Sequence, residues 1–468
     1  MRPYCGVVSS HVASAFVSPD LLGTAPGWSP AYFAGPASVA LRSSLHGSTV
    51  ADLGGQVLEG WRVSETPGAL TYDPRAATTP IYRQSNVGRL RLLLSASHWE
   101  PPQMADRWCV QPGDVVLNKL APVRAAVVSP AARRHPVDGN SLIVRGLPRS
   151  AATWLALCLN RPEYEQLLLI ESGVLRRVAL ATLANLRLPP VPAELDALSQ
   201  ALRDLLDEML LVGESIHRVK TEAARLAVAP STQRNLREGT FFEREAVSSD
   251  SWLPSAVALR SDQSALAEEL AWVPIRSLAS ADDRGRLSTA PEGARALRLS
   301  DVADDLFVGP PEKPEPTELT AGRTLGKPLI AGEVLLSTLG TSFRVAYVDD
   351  GVAPNTFPTD GWVRLRFRET PAAWALLLST HQVRWQTARL AVGSVQQFVP
   401  PEALLSIHVP TPERETRDRW QRAVERHHAQ RRAVDSRWNS LLTSLASVFD
   451  NAHGISASRP VRAHEVLQ

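Results

Sequence analysis

Five blocks of sequence occur twice, in the same order and at a nearly constant spacing. No other feature limits the possible folds so strongly. Gly113-Asp114-Val115-Val116-Leu117 returns as Gly332-Glu333-Val334-Leu335-Leu336, an offset of 219. Val123 to Val128 returns as Phe343 to Val348, and Trp154 and Gly173 return as Trp374 and Gly393, all at 220. Leu183 to Pro189 (LANLRLP) returns as Leu404 to Pro410 (LLSIHVP) at 221. Five ordered blocks that drift by two positions describe a tandem duplication, with units of roughly 1–230 and 231–468.

Each unit reads alike. A β-rich opening holds short alternating strands such as Pro80-Ile81-Tyr82 and Ala294-Arg295-Ala296-Leu297. The G-[D/E] strand, a polar loop and a second strand follow. Then come a Trp-led helix (Trp154–Leu159, Trp374–Leu378), a Gly turn, a strand ending in proline and a long helix. Gly309 to Pro316 (GPPEKPEP) reads as a surface loop.

The long helices carry an alternating three-and-four spacing of apolar residues, the a/d pattern of a coiled coil. In the first the stripe is Leu195, Leu198, Leu202, Leu205, Met209, Val212 and Ile216, continuing through Val219, Ala223 and Leu226 to a stop at Pro230. In the second it is Trp420, Val424, His427, Arg431, Val434, Trp438 and Leu441, continuing through Leu445 and Val448. Residues 194–226 hold seven acids and four bases, and residues 413–450 hold six acids and eight bases. Opposite net charge favours pairing of the two helices with each other. The alternative is that each packs on its own domain. His427 and Arg431 are polar positions in an apolar seam, which set register at some loss of stability. Arg431 is expected to meet an acid among Asp207, Glu208 and Glu214, or else this part of the stripe faces a partner or solvent; leucine at both positions raises the melting temperature if they are seam residues.

Composition removes several classes of function. The chain has 468 residues, enough for two or three domains with their own cores. No apolar run approaches the ~18 residues that span a bilayer, and the start lacks a signal-peptide layout. A cytoplasmic location and no membrane partner are therefore expected. Cys5, Cys109 and Cys158 are isolated, which suggests neither a disulfide framework nor a zinc site. Net charge is only +2, yet residues 83–187 carry 14 Arg/Lys against 7 Asp/Glu. The four Pro-Pro pairs, at Pro101, Pro189, Pro310 and Pro400, lack the Asn/Asp-Pro-Pro-aromatic setting of amino-methyltransferases. No lysine has an acid two residues before it, as metal-dependent nucleases commonly need, and no phosphate-binding glycine loop is present. His427-His428 has no ligand-spaced partner and reads as solvated surface or seam. No catalytic site, metal site or cofactor is expected in this chain.

The ordered blocks, from the G-D-V-V-L strand to L-x-x-L-x-[LV]-P and a coiled-coil helix, resemble the specificity subunit of type I restriction–modification systems. The resemblance covers nearly the whole chain. It implies an α+β architecture: target recognition domain 1 over 1–192, spacer helix 1 over 193–230, domain 2 over 231–411, spacer helix 2 over 412–452 and a flexible tail over 453–468. It implies an antiparallel coiled coil between the helices and partners that are double-stranded DNA, methyltransferase subunits and a restriction/translocase subunit, with S-adenosylmethionine held by the methyltransferase. Where the family places an acidic–Gln pair after the Pro-ended strand, this chain has Ala193-Glu194-Leu195 and Thr411-Pro412-Glu413.

Candidate DNA contacts are loop residues beside the repeated strands. In the first unit they are Arg83, Gln84, Asn86, Lys119, Arg124, Arg176 and Arg177. In the second they are Ser337, Thr338, Thr341, Ser342, Arg344, Gln396 and Gln397. Gln and Asn suit the adenine edge, Arg the guanine edge, and hydroxyls and Lys the phosphates. Arg124 and Arg344 hold matching places, as base contacts or as arginines that tie a loop to its domain. The first spacer, Leu195 to Leu226, would be about 48 Å long at ~1.5 Å per residue. Two readers so spaced imply a bipartite target with an unread gap. Two other readings stay open: a DNA-targeting subunit of another defence assembly, and a protein-only coiled-coil adaptor.

Overall fold

The computed structural model describes residues 40, 44, 46–61, 70–71, 79–93, 98–99, 106–169, 176–227, 272–281, 287–309, 325–339, 343–393 and 397–453. They form a mixed helix-and-sheet protein in two compact units, Met1–Leu210 with Val434–Gln468, and Leu211–Ala433. The division therefore cuts each long helix in its middle instead of following chain order. No helix among the described residues is long and apolar enough to cross a membrane. The GPPEKPEP loop beyond Gly309 and the 453–468 tail beyond His453 lie outside the described residues.

The first unit is built on a five-stranded sheet of β1 (Gln56–Glu59), β2 (Leu90–Arg91), β3 (Val115–Asn118), β4 (Ala125–Val127) and β5 (Ser141–Arg145). Its order is β1-β5-β3-β4-β2, antiparallel except for β2 beside β4. Strand β3 is buried on both faces, which is why it reads as an unbroken apolar run. Helix α1 (Arg149–Leu159) begins five residues before its tryptophan, so Trp154 lies in the helix interior, its indole N–H donating to the Pro189 carbonyl at 3.0 Å. The Pro-ended strand Arg187–Leu188 pairs with Ser48–Thr49.

The second unit has β6 (Ala279–Ala281), β7 (Glu333–Ser337), β8 (Val345–Tyr347) and β9 (Trp362–Phe367), in the order β6-β9-β7-β8. Position for position this is the order β1-β5-β3-β4. The tryptophan helix is α2 (Pro371–Leu378), and His408–Pro410 pairs antiparallel with Trp272–Pro274. The G-[D/E] strand, the strand after it, the tryptophan helix and the Pro-ended strand each land on the same structural element in both units, while Gly173 lies outside the described residues.

The long helices run over Leu195–Leu226 and Arg414–Ala452. Most of the apolar stripe is buried: Leu195, Leu202, Leu205, Val212 and Ile216 in the first, and Trp420, Val424, His427, Val434, Trp438 and Leu441 in the second. Leu198, Met209 and Arg431 are half-buried. In the second unit Ile216, Ala223, Trp420 and Val424 share one apolar cluster with Trp374, Leu377 and Leu404. The stripe there is part of the domain core and not a separate seam. Arg437 pairs with Glu208 in the first unit, and Arg419 with Glu222 in the second.

Candidate nucleic-acid interface

The G-[D/E] block is a structural clamp that fixes one end of each sheet. Gly113 and Gly332 turn the chain with φ of +88° and +90°, a conformation side chains with a Cβ rarely adopt. The acid that follows closes the turn. Asp114 Oδ2 accepts the Gln111 N–H at 2.8 Å, and Glu333 Oε2 accepts the Ile330 N–H at 3.1 Å. Each acid also holds arginine from the neighbouring strand. Arg145 Nη2 reaches Asp114 Oδ2 at 2.8 Å and the Cys109 carbonyl at 2.7 Å. In the second unit Arg364 Nη2 reaches Glu333 Oε1 at 2.6 Å, and Arg366 Nη2 reaches the same oxygen at 2.9 Å.

This clamped end faces a long helix. The Ala131 N–H donates to Asp207 Oδ1 at 2.9 Å, and Arg149 pairs with Gln200. The second unit uses ionic contacts. His428 Nδ1 meets Asp349 Oδ2 at 2.7 Å, and Arg432 joins the same carboxylate. His427 Nε2 meets Asp305 Oδ2 at 2.9 Å, with Arg431 at 3.4 Å. Burial pushes the Asp305 carboxyl up, but the His427 hydrogen bond and the Arg431 charge outweigh it and hold the group at about 2. Burial also raises Asp349, while hydrogen bonds from His428 and Arg432 bring it to about 2. The histidines, expected on solvated surface or in a helix seam, are buried against the β-rich domain. Arg431 meets Asp305, while Glu208 pairs with Arg437 and Asp207 takes the Ala131 N–H. No group of three or more His, Cys, Asp or Glu that could hold a metal occurs among the described residues.

The opposite end of each sheet, the tip, gathers the sequence candidates. Asn118 ends β3, and its side chain accepts the Arg124 N–H and donates to the Leu120 carbonyl at 2.8 Å and the Pro122 carbonyl at 2.9 Å. Ser337 ends β7, and its hydroxyl accepts the Arg344 N–H at 2.9 Å. Residues 176–178 and 397–399 pack beside the ends of these strands. Leu120 bridges Arg177 with Val178 N–H on the Lys119 carbonyl at 2.8 Å, and Leu339 bridges Phe398 with Val399 N–H on the Thr338 carbonyl at 2.8 Å. Arg177 and Phe398 are thus equivalent positions, and Arg176 and Gln397 likewise. All four are exposed.

Several candidates change role. Lys119 is only 2% exposed and donates to Glu59 Oε1 at 2.8 Å and the Gly139 carbonyl at 2.7 Å, so it braces the fold and does not face a ligand. Ser337 and Thr338 are buried by the same loop packing. Asn86 Oδ1 accepts the Arg83 N–H at 2.8 Å, closing a short turn that also contains Gln84. Arg83 Nε lies 3.9 Å from Asp138. Arg344 pairs with Asp304, which gives its loop-tying reading a named partner. Thr341, Ser342 and Gln396 lie outside the described residues.

Positive charge collects behind both tips. Burial, then the Arg124 charge, brings the Arg89 guanidinium down to about 10. Burial, then Arg384, brings Lys220 down to about 8, with Asp305 opposing and Arg344 adding. A sixth repeated block escaped the sequence reading. Arg83-Gln84-Ser85-Asn86-Val87 corresponds to Arg298-Leu299-Ser300-Asp301-Val302, and the Arg298 N–H donates to Asp301 Oδ2 at 2.7 Å as Arg83 does to Asn86. Its signal was R-x-S-[N/D]-V at an offset of 215.

No protein-family model matches the chain, and no curated protein matches it. Among solved structures it is similar to the S subunit of a type I restriction–modification system from M. genitalium. That chain is 11% identical with a TM-score of 0.37, the match covering 87% of this chain and 94% of that one. The HsdS subunit from Thermoanaerobacter tengcongensis is 15% identical at a TM-score of 0.25, covering 86% and 97%. A structure describing complex assembly and conformational transition of the type I R-M system is 14% identical at 0.25, covering 88% and 97%.

Proposed function

We propose that the chain is a non-catalytic DNA-specificity subunit of a type I methyltransferase/restriction complex. It reads a bipartite duplex target with its two sheet tips and docks methyltransferase subunits, which hold S-adenosylmethionine, and a restriction/translocase subunit. The observation that carries this reading is one sheet order occurring twice with tips of different chemistry, Arg176-Arg177 in one unit and Gln397-Phe398 in the other. A duplicated scaffold with divergent tips suits the reading of two different half-sites.

Binding of the full chain to long duplex DNA, titrated against salt, tests this. Each phosphate neutralised by Arg or Lys adds about 0.9 to the slope of log affinity against log salt. A steep slope with retained sequence preference is expected. Absence of duplex binding at low salt would overturn the proposal and favour a protein-only adaptor.

A further inference from the structure

We infer that Arg177 and Phe398 are equivalent specificity-determining positions, and that Phe398 packs on the methyl group of a thymine while Arg177 takes a guanine. The inference rests on the proposed function and deepens it. Both residues bridge the residue two places beyond the end of their central strand, Leu120 and Leu339, and both precede a backbone N–H that donates to the carbonyl one place earlier, at 2.8 Å in each unit. Whatever approaches one tip along this loop meets an arginine, and along the other meets a phenyl ring.

Phe398 is 40% exposed, and its second bridge partner, Val392, is 37% exposed. A phenyl group left in water at a loop end gains free energy only when something apolar covers it. Its neighbour Gln397 is exposed and can both donate and accept, matching adenine's N6 and N7. In the major groove the apolar group beside that adenine edge is the thymine C5 methyl of the same base pair. A Gln-Phe pair therefore fits an A·T pair. At the first tip Arg176 and Arg177 are both exposed, and a guanidinium matches guanine O6 and N7. The two half-sites should differ in this respect.

Preferred duplexes would be selected from a random pool with the full-length chain. In the half that Phe398→Arg alters, each thymine would then be replaced by deoxyuridine, which removes only the methyl group and leaves the protein unchanged. One replacement is expected to weaken wild-type binding about fourfold, the worth of one buried methyl group. Phe398→Ala should erase that sensitivity, and Phe398→Arg should shift the position toward G·C while the other half keeps its preference. Selective binding indifferent to deoxyuridine at every thymine would overturn the Phe398 assignment and leave the specificity-subunit reading standing. Absence of any selected duplex would overturn both.

Discussion

The two units hold the same sheet with different amounts of charge. In the first, Asp114 holds one arginine, Arg145, which is partly exposed. In the second, the longer side chain of Glu333 reaches two, and Arg364 is almost fully buried with it. Attachment to the long helices differs in the same sense. The first unit uses a hydrogen bond from the Ala131 N–H to Asp207 and, at the end of the second helix, an aromatic group in which Phe449 stacks on His453 at 3.8 Å beside Tyr164. The second unit uses His427, His428, Arg431 and Arg432 on Asp305 and Asp349. One backbone arrangement can thus be secured by unlike side chains, which leaves each tip free to diverge.

The largest expected effect is at the clamps. Glu333→Ala strands a buried arginine and should destabilise the protein by about 3–5 kcal/mol. Asp114→Ala leaves Arg145 with partial solvent and the Cys109 carbonyl and should lose about 1–3 kcal/mol. Denaturant titration of both variants ranks them, and a greater loss for Asp114→Ala would refute the contrast.

Acid should act on the second unit through its helix anchors. Asp305 and Asp349 sit at about 2 when folded against a reference value of 3.8, so their stabilisation is full above pH 3.8 and is lost as pH falls toward 2. Asp305 alone should contribute about 2 kcal/mol across that window. Melting temperature from pH 5 to 2 should fall more steeply for wild type than for Asp305→Asn with Asp349→Asn. Parallel curves would remove the ionic anchor from the account.

The His427 anchor reverses the sign expected for a coiled-coil seam. His427→Leu removes a hydrogen bond from a buried carboxylate and should lower stability by about 1–3 kcal/mol, where a helix–helix seam would gain. Thermal melting of this single variant separates the two. The smallest effect on stability belongs to the tips. Arg176→Ala with Arg177→Ala should change stability by less than about 0.5 kcal/mol. If either arginine contacts phosphate, the salt slope should fall by about one per contact, whereas Gln397→Ala should leave it unchanged.

The repeated strands, tryptophan helices and long helices were legible because each is a local pattern of apolar spacing and turn residues. The tip loops were also legible as places, since the residues flanking them repeat. Partners distant in sequence were not. Nothing near Asp114 marks Arg145, and nothing near His427 marks Asp305, because pairing across a sheet or onto a helix depends on the fold. Lys119 was misassigned for the same reason: its carboxylate, Glu59, comes from a strand about sixty residues earlier. The R-x-S-[N/D]-V turn was legible and overlooked, because its offset of 215 departs from the spacing of the other blocks.

The central claim is that two separately built tips read two separate half-sites. Replacing residues 1–192 with the equivalent part of a relative that carries different tip residues, then selecting preferred duplexes, tests it most directly. One half of the selected sequence should change, with the other half and the unread gap retained. A change in both halves together, or a single uninterrupted target before and after the exchange, would contradict it.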